Sequence, residues 1–183
     1  MAFIRALADL RQSKGIINLM LELTPDNFMP LSSSHLYWRW SDPRWGKLPD
    51  EVLSQIHALN ISSSQSLWPV AQQCIRHFDN YISAGGMLKQ GNTNNDSIKS
   101  IIVQHKTPID VGIELHALQP EPRCSIVALW EPDTGIVLPW NLFCHYWAQF
   151  CYPSSDDLFL IPIALTWCLL YHNEDVFLFH QHP

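Results

Sequence analysis

Apolar residues recur every three to four positions from Trp140 to Cys151, so Trp140, Phe143, Cys144, Trp147, Phe150 and Cys151 fall on one stripe of an α-helix. Pro139 lies just before this helix and Asn141 is placed to cap it. Tyr152-Pro153 stops it, because a residue before proline is pushed out of helical backbone space. The apolar run Ile136–Leu138 arrives on one side and Leu158–Ile163 leaves on the other, a strand, helix, acidic loop, strand unit. A second helical period runs through Leu67, Val70, Ala71, Cys74, Ile75, Phe78 and Ile82. Ser64 or Ser66 caps that helix with Pro69 in its first turn, and Gly85-Gly86 supplies the left-handed stop after Ala84. Phe3, Ile4, Leu7 and Leu10 predict a short helix over 2–12. Leu48-Pro49-Asp50-Glu51 opens another, with Val52, Ile56 and Leu59 on its buried side.

Other stretches read as strands. His35–Trp40 alternates, with Leu36, Trp38 and Trp40 on one face, and ends at Asp42-Pro43. Ile101–Val103, Gly112–Leu118, Cys124–Trp130, Ile136–Leu138, Leu158–Ile163, Leu165–Tyr171 and Val176–His180 are short, β-branched or alternating, and His172–Asp175 fits a hairpin turn. Ile16–Leu23 is apolar but aperiodic, which leaves helix and strand open; Thr24–Asn27 is a turn cluster and residues 89–97 a polar loop. Helices first and strands later predict an α+β fold: an antiparallel sheet of about six to seven strands packed on one side by N-terminal helices and one aromatic-rich helix, in a single domain over 1–183.

Composition adds that 47% of the 183 residues are apolar, ample for a core, while only 15% are charged. A typical charged share is about 25%, so the surface is built from Ser, Asn, Gln and His, or it carries an apolar patch that a partner covers. The net charge of −6 is unevenly placed. Residues 1–60 balance six cations against six anions, whereas residues 107–183 set Arg123 alone against nine carboxylates, a net −8. Such a half repels nucleic acid, whose phosphates need Lys and Arg, and attracts a basic protein. An ordinary acidic surface accounts for the same numbers. Cys74, Cys124, Cys144, Cys151 and Cys168 form no CxxC pair and mostly sit in apolar runs, which fits buried, reduced thiols in the cytoplasm. The N-terminus lacks a secretory signal, and no apolar run reaches the ~18 residues of a membrane span. A soluble cytoplasmic protein is expected, with no cofactor, no metal and no membrane partner.

Candidate chemistry is sparse. Cys144-His145 adjoin, but neighbours on a helix point about 100° apart and Cys144 lies on the buried stripe. His172, His180 and His182 could converge on zinc or copper if the last strand runs to the terminus, though no carboxylate or thiolate stands at ligand spacing. Glu131/Asp133, Asp156/Asp157 and Glu174/Asp175 are paired carboxylates in loops. They can serve a hydrolase, stay solvated, or dock Lys and Arg of a partner. There is no P-loop, GxSxG or GxGxxG. Trp45, in the polar segment Ser41–Gly46, is the tryptophan placed to anchor an exposed contact.

Two segments together carry a resemblance: Asp42-Pro43-Arg44-Trp45-Gly46-Lys47-Leu48 continuing through Leu53 and Ile56 to Leu67-Trp68, and Trp130 with Trp140, Phe143, Trp147 and Phe150–Asp157, closing at Tyr171. They resemble a group of small bacterial α+β proteins similar to the cognate immunity proteins encoded beside interbacterial toxins, over about two-thirds of the chain. The sequence departs from that pattern at Ala148-Gln149, where an acidic pair is expected. The resemblance implies inhibition by tight binding without turnover. On this reading Trp45, Glu131, Asp133, Asp156, Asp157, Glu174 and Asp175 contact a toxin or effector with a basic surface. A small hydrolase using the loop acids with Cys144, His145 or the terminal histidines, and an adaptor or chaperone for an effector, remain the alternatives.

Overall fold

Four runs in the C-terminal half, Ile126–Trp130, Leu158–Ile161, Trp167–Tyr171 and Val176–Phe179, are apolar at every position rather than at alternate ones. Strands of that kind need cover on both faces. The computed structural model, which describes residues 23–83, 98–119, 121, 124–153 and 155–181, supplies it. An antiparallel sheet of eight strands is formed by β1 (Phe28–Met29), β2 (His57–Leu59), β3 (Ile98–Ile102), β4 (Ser125–Glu131), β5 (Thr134–Pro139), β6 (Leu158–Pro162), β7 (Trp167–His172) and β8 (Val176–Gln181). Their order is β1-β2-β5-β4-β6-β7-β8-β3. Five helices accompany it among the described residues: α1 (Trp38–Ser41), α2 (Asp50–Leu53), α3 (Ile61–Ser83), α4 (Pro108–Leu118) and α5 (Trp140–Tyr146).

The fold is thus α+β with one antiparallel sheet, but the helices lie on both sides of it. Ile126, Ala128, Leu158, Leu160, Trp167, Leu169, Tyr171, Phe177 and Phe179 share a core with α1, α4 and the aromatic stripe of α5. The alternate residues Val127, Leu129, Phe159, Ile161, Cys168, Leu170 and Leu178 pack against Leu67, Val70, Ala71, Cys74 and Phe78 of α3. All six residues of the predicted aromatic stripe are buried. Its helix begins one residue after Pro139, which takes the capping position without a side-chain bond, so Asn141 lies inside the first turn and is not the cap. A 3-10 turn, Trp147–Gln149, finishes the segment before Tyr152-Pro153.

Several expectations are corrected by tertiary context. The seventh and eighth strands are β1 and β2, two and three residues long, too short to give a period. His35–Trp40 is not a strand: Tyr37 N–H donates to Ser34 O, Arg39 N–H to Leu36 O and Ser41 N–H to Tyr37 O, and the segment closes into the single turn α1. Trp40 is fully buried and Trp38 exposed, so the two do not share a face. The helix opened by Pro49 is also one turn long; Ile56 and Leu59 are buried, but from the following turn and from β2. Helix α3 starts before Ser64, because Asn60 Oδ1 accepts from Ser63 N–H (2.8 Å) while Asn60 Nδ2 donates to Asp26 O (2.7 Å). Pro69 therefore stands in its interior. Residues 2–12, the Ile16–Leu23 run up to 22, Gly85-Gly86 and the loop 89–97 lie outside the described residues.

Gly112–Leu118 is helical, within α4, and not a strand. Thr107 Oγ1 accepts from Asp110 N–H (3.2 Å), Asp110 Oδ2 accepts from Thr107 Oγ1 (2.7 Å), and Pro108 occupies the first turn, a capping box that wins over β-branched content. Val111 and Leu115, four apart, are the buried face. Two tryptophans of the following segment hold both ends of α4: Trp147 Nε1 donates to Pro108 O (2.9 Å) and Trp140 Nε1 to Gln119 O (3.2 Å). Between them Gly112 permits close approach, since a Cβ there would stand 2.6 Å from the backbone oxygen of Cys144. Gly to Ala inside a helix ordinarily gains about 0.5–1 kcal/mol. Here the sign reverses, and Gly112→Ala is expected to lose about 1–3 kcal/mol by overpacking. A urea midpoint for that variant at or above wild type would contradict the close approach.

Candidate partner-binding end of the sheet

Strand register gathers the predicted acids. The β4–β5 turn carries Glu131 and Asp133, with Glu131 paired to Thr134. Leu129 of β4 pairs with Phe159 of β6, so the start of β6, preceded by Asp156 and Asp157, lies at the same end of the sheet. Leu158 pairs with Tyr171, and His172 with Val176, which brings the β7–β8 turn with Glu174 and Asp175 to that end as well. From one hairpin to the other is three strand spacings, about 14 Å. That span fits within one standard protein interface.

The six acids differ in what they face. Asp156 is buried and already neutralised: Arg39 Nη1 and Nη2 grip its two oxygens, the second at 3.0 Å, and Tyr152 N–H donates to Oδ2 at 3.0 Å. It is a structural strut, which corrects its expected role as a partner contact. Its cation comes from 117 residues earlier in the chain, beyond any local pattern. Glu131, Asp133, Asp157 and Glu174 are exposed and Asp175 half-buried. Among the described residues no lysine or arginine pairs with any of these five; Arg44, Lys47 and Lys106 are engaged by Asp42, Asp50 and Glu114. Asp133 accepts from Thr134 Oγ1 (3.0 Å) and Asp157 from Asn173 N–H (3.0 Å). Asp175 accepts from the Tyr171 hydroxyl (2.6 Å), and burial together with that carboxylate pushes the Tyr171 phenol well above its ordinary value. Gln104, Asn173, Glu174 and Asp175 line an open polar cleft of about 460 Å³ beside the turn.

Trp45 joins this end through aromatic contacts. It meets Trp38 edge-on (centroids 5.4 Å, 70°) and Tyr152 edge-on (6.1 Å, 86°), and Trp38 stacks on Tyr152 (6.2 Å, 28°). Trp45 is 50% and Trp38 42% exposed. Trp38 is the site residue that the sequence reading missed, because alternation placed it in the core. Its one local signal is membership of the aromatic-rich stretch His35–Trp40 with Tyr37 and Trp40, which does not separate inside from outside. Gly46, next to Trp45, adopts left-handed backbone (φ 85), and Asp42 Oδ1 accepts from Arg44 N–H (2.9 Å) to cap the turn between them. Hydrogen bonds from the Arg44 guanidinium hold the Asp42 carboxyl below its ordinary value.

The other candidates are not assembled. Cys144 is buried, and desolvation pushes its thiol far above the ordinary range, so a thiolate there is disfavoured. Cys124, half-buried beside Glu121, is pushed up to about 11. His172 pairs with Val176 at the turn and His180 with Cys168, four residues further along β8 and about 13 Å away by strand rise, so these two do not converge. His182 lies outside the described residues. Among the described residues no three His, Cys, Asp or Glu gather as metal ligands, and no helix is long and apolar enough to cross a membrane. Comparison with known protein families, with curated proteins and with solved structures found no match.

Proposed function

We propose that this chain is a non-enzymatic binding protein that docks a basic partner protein at the acidic end of its sheet, and that it acts as an immunity protein, neutralising a toxin effector in the cytoplasm. The observation that carries the docking is the gathering, at one end of the sheet, of five carboxylates that form no salt bridge with a lysine or arginine among the described residues. Left among themselves such groups repel, a cost that a cationic cleft relieves on binding. The immunity role draws on the resemblance of the Asp42–Leu48 and Trp130–Asp157 segments.

The test is to seek a larger reading frame beside this one that ends in a basic domain, and to co-express that domain with this chain. The wild-type chain is expected to restore growth and abolish the domain's activity. The variant with Glu131→Gln, Asp133→Asn, Asp157→Asn, Glu174→Gln and Asp175→Asn associates about 10- to 100-fold more slowly at low salt, the range over which electrostatic steering acts. Protection and association rate unchanged in that variant would reject the docking site. Binding that leaves the domain active would make the chain an adaptor or chaperone and not an immunity protein.

A further inference from the structure

Exposed tryptophans are costly to leave in water, and two of them here stand side by side against Tyr152, at the end of the sheet where the acids gather. We infer that Trp38 and Trp45 are the anchor of the docking surface and that they receive an arginine side chain of the partner protein. This rests on the reading that the acidic end docks a basic protein, and it names the chemistry that the end selects.

Three features converge. First, the pair is held in place before any partner arrives. Trp38 and Trp45 meet at 5.4 Å, both lean on Tyr152, and the Tyr152 backbone is fixed by its N–H bond to Asp156 (3.0 Å). A rigid aromatic platform loses little freedom on binding, which is why tryptophan is enriched at interface hot spots. Second, the cluster already accommodates one guanidinium. Arg39 Cζ lies 4.5 Å from the Tyr152 centroid and 5.6 Å from that of Trp38, on the inner side, and its charge is cancelled by Asp156. Trp38 and Trp45 nevertheless keep about half of their surface open to solvent. Third, the field around them favours a cation: Asp157 adjoins the strut, Asp42 neutralises Arg44, and Glu131, Asp133, Glu174 and Asp175 share the sheet end. Guanidinium suits such a place better than ammonium. It is planar, weakly hydrated and stacks on indole while its N–H groups reach carboxylates in the plane.

The experiment titrates the full chain with hexa-arginine and hexa-lysine peptides of equal charge, at low salt, by calorimetry. The wild type is expected to bind hexa-arginine about fivefold more tightly than hexa-lysine, as two exposed cation–π contacts allow. In the Trp38→Ala/Trp45→Ala variant that ratio falls to between one and two, with hexa-lysine affinity held within about twofold. Trp38→Phe/Trp45→Phe retains part of the preference, which separates lost stacking from a disturbed fold. Equal affinity of the wild type for both peptides, or an arginine preference that survives the double alanine variant, overturns the anchor while leaving acidic docking intact. Peptide binding unaffected by the five acid-to-amide changes overturns the acidic docking instead. Failure of both peptides to bind the wild type overturns both readings.

Discussion

Asp156→Ala is expected to lower folding stability by about 3–5 kcal/mol, the usual loss when one partner of a buried ion pair is removed. The side chains of Arg39 and Asp156 are only 11% and 6% exposed, so water does not replace the missing carboxylate. The guanidinium would keep its charge, since Arg cannot be deprotonated in a protein. Its Nε already lacks a hydrogen-bond partner, which leaves the aromatic rings of Tyr152 and Trp38 as its main company. Tyr152 N–H would lose its acceptor at the same time. Asp157→Ala, one residue on and exposed, is expected to stay within about 0.5 kcal/mol. The double change Arg39→Met/Asp156→Leu should recover most of the loss, because removing both charges also removes the desolvation cost. Urea unfolding of the three variants decides the matter. A loss below about 1 kcal/mol for Asp156→Ala, or a double variant as unstable as the single one, would mean that the pair is more hydrated than its burial indicates.

That pair also shows where sequence reasoning stopped. The aromatic stripe was legible because its six residues serve one core, although only Trp140, Phe143 and Cys144 lie in α5, and Trp147, Phe150 and Cys151 follow in and after the 3-10 turn. The acids were legible as a group of like charge, and their meeting at one sheet end follows from alternate hairpins once β4, β6 and β7 are known to be neighbours. What stayed hidden was which acid is spoken for. Arg39 and Asp156 look like any other surface charges in a list of residues, and only the fold lays one against the other. His35–Trp40 and Gly112–Leu118 depart from their strand-like patterns for different reasons. Thr107-Pro108-Ile109-Asp110 is a capping box with proline in the first turn, a local helix start that outweighs β-branching, whereas the single turn Trp38–Ser41 has no side-chain cap and no such local sign. The continuous apolar runs of β6, β7 and β8 held the sign that helices cover both faces of the sheet, since a one-sided sheet would have alternated.

Trp140→Ala is expected to cost as much as the broken ion pair, about 3–5 kcal/mol, the usual range for truncating a buried aromatic side chain. Trp140 is fully buried, stacked on Phe143 (5.7 Å, 15°) and tilted against Trp167 (5.1 Å, 59°), so its removal opens a void between α5 and β7. The second consequence is directional. The Trp140 N–H bond to Gln119 O is one of the two that hold the ends of α4, and Val111 and Leu115 are the two buried side chains of that helix, while Ile109 is 75% exposed. With so few apolar contacts of its own, α4 depends on its anchors. Amide exchange in Trp140→Ala should therefore accelerate more across residues 108–118 than across α3, which packs on the opposite face of the sheet. Trp140→Phe separates the two effects: the ring is largely kept and the donor lost, so a smaller loss of about 0.5–1.5 kcal/mol is expected, again with faster exchange in α4. Uniform acceleration over both helices in either variant would show that α4 is bound into the core by its own packing and not by the indole that tethers it.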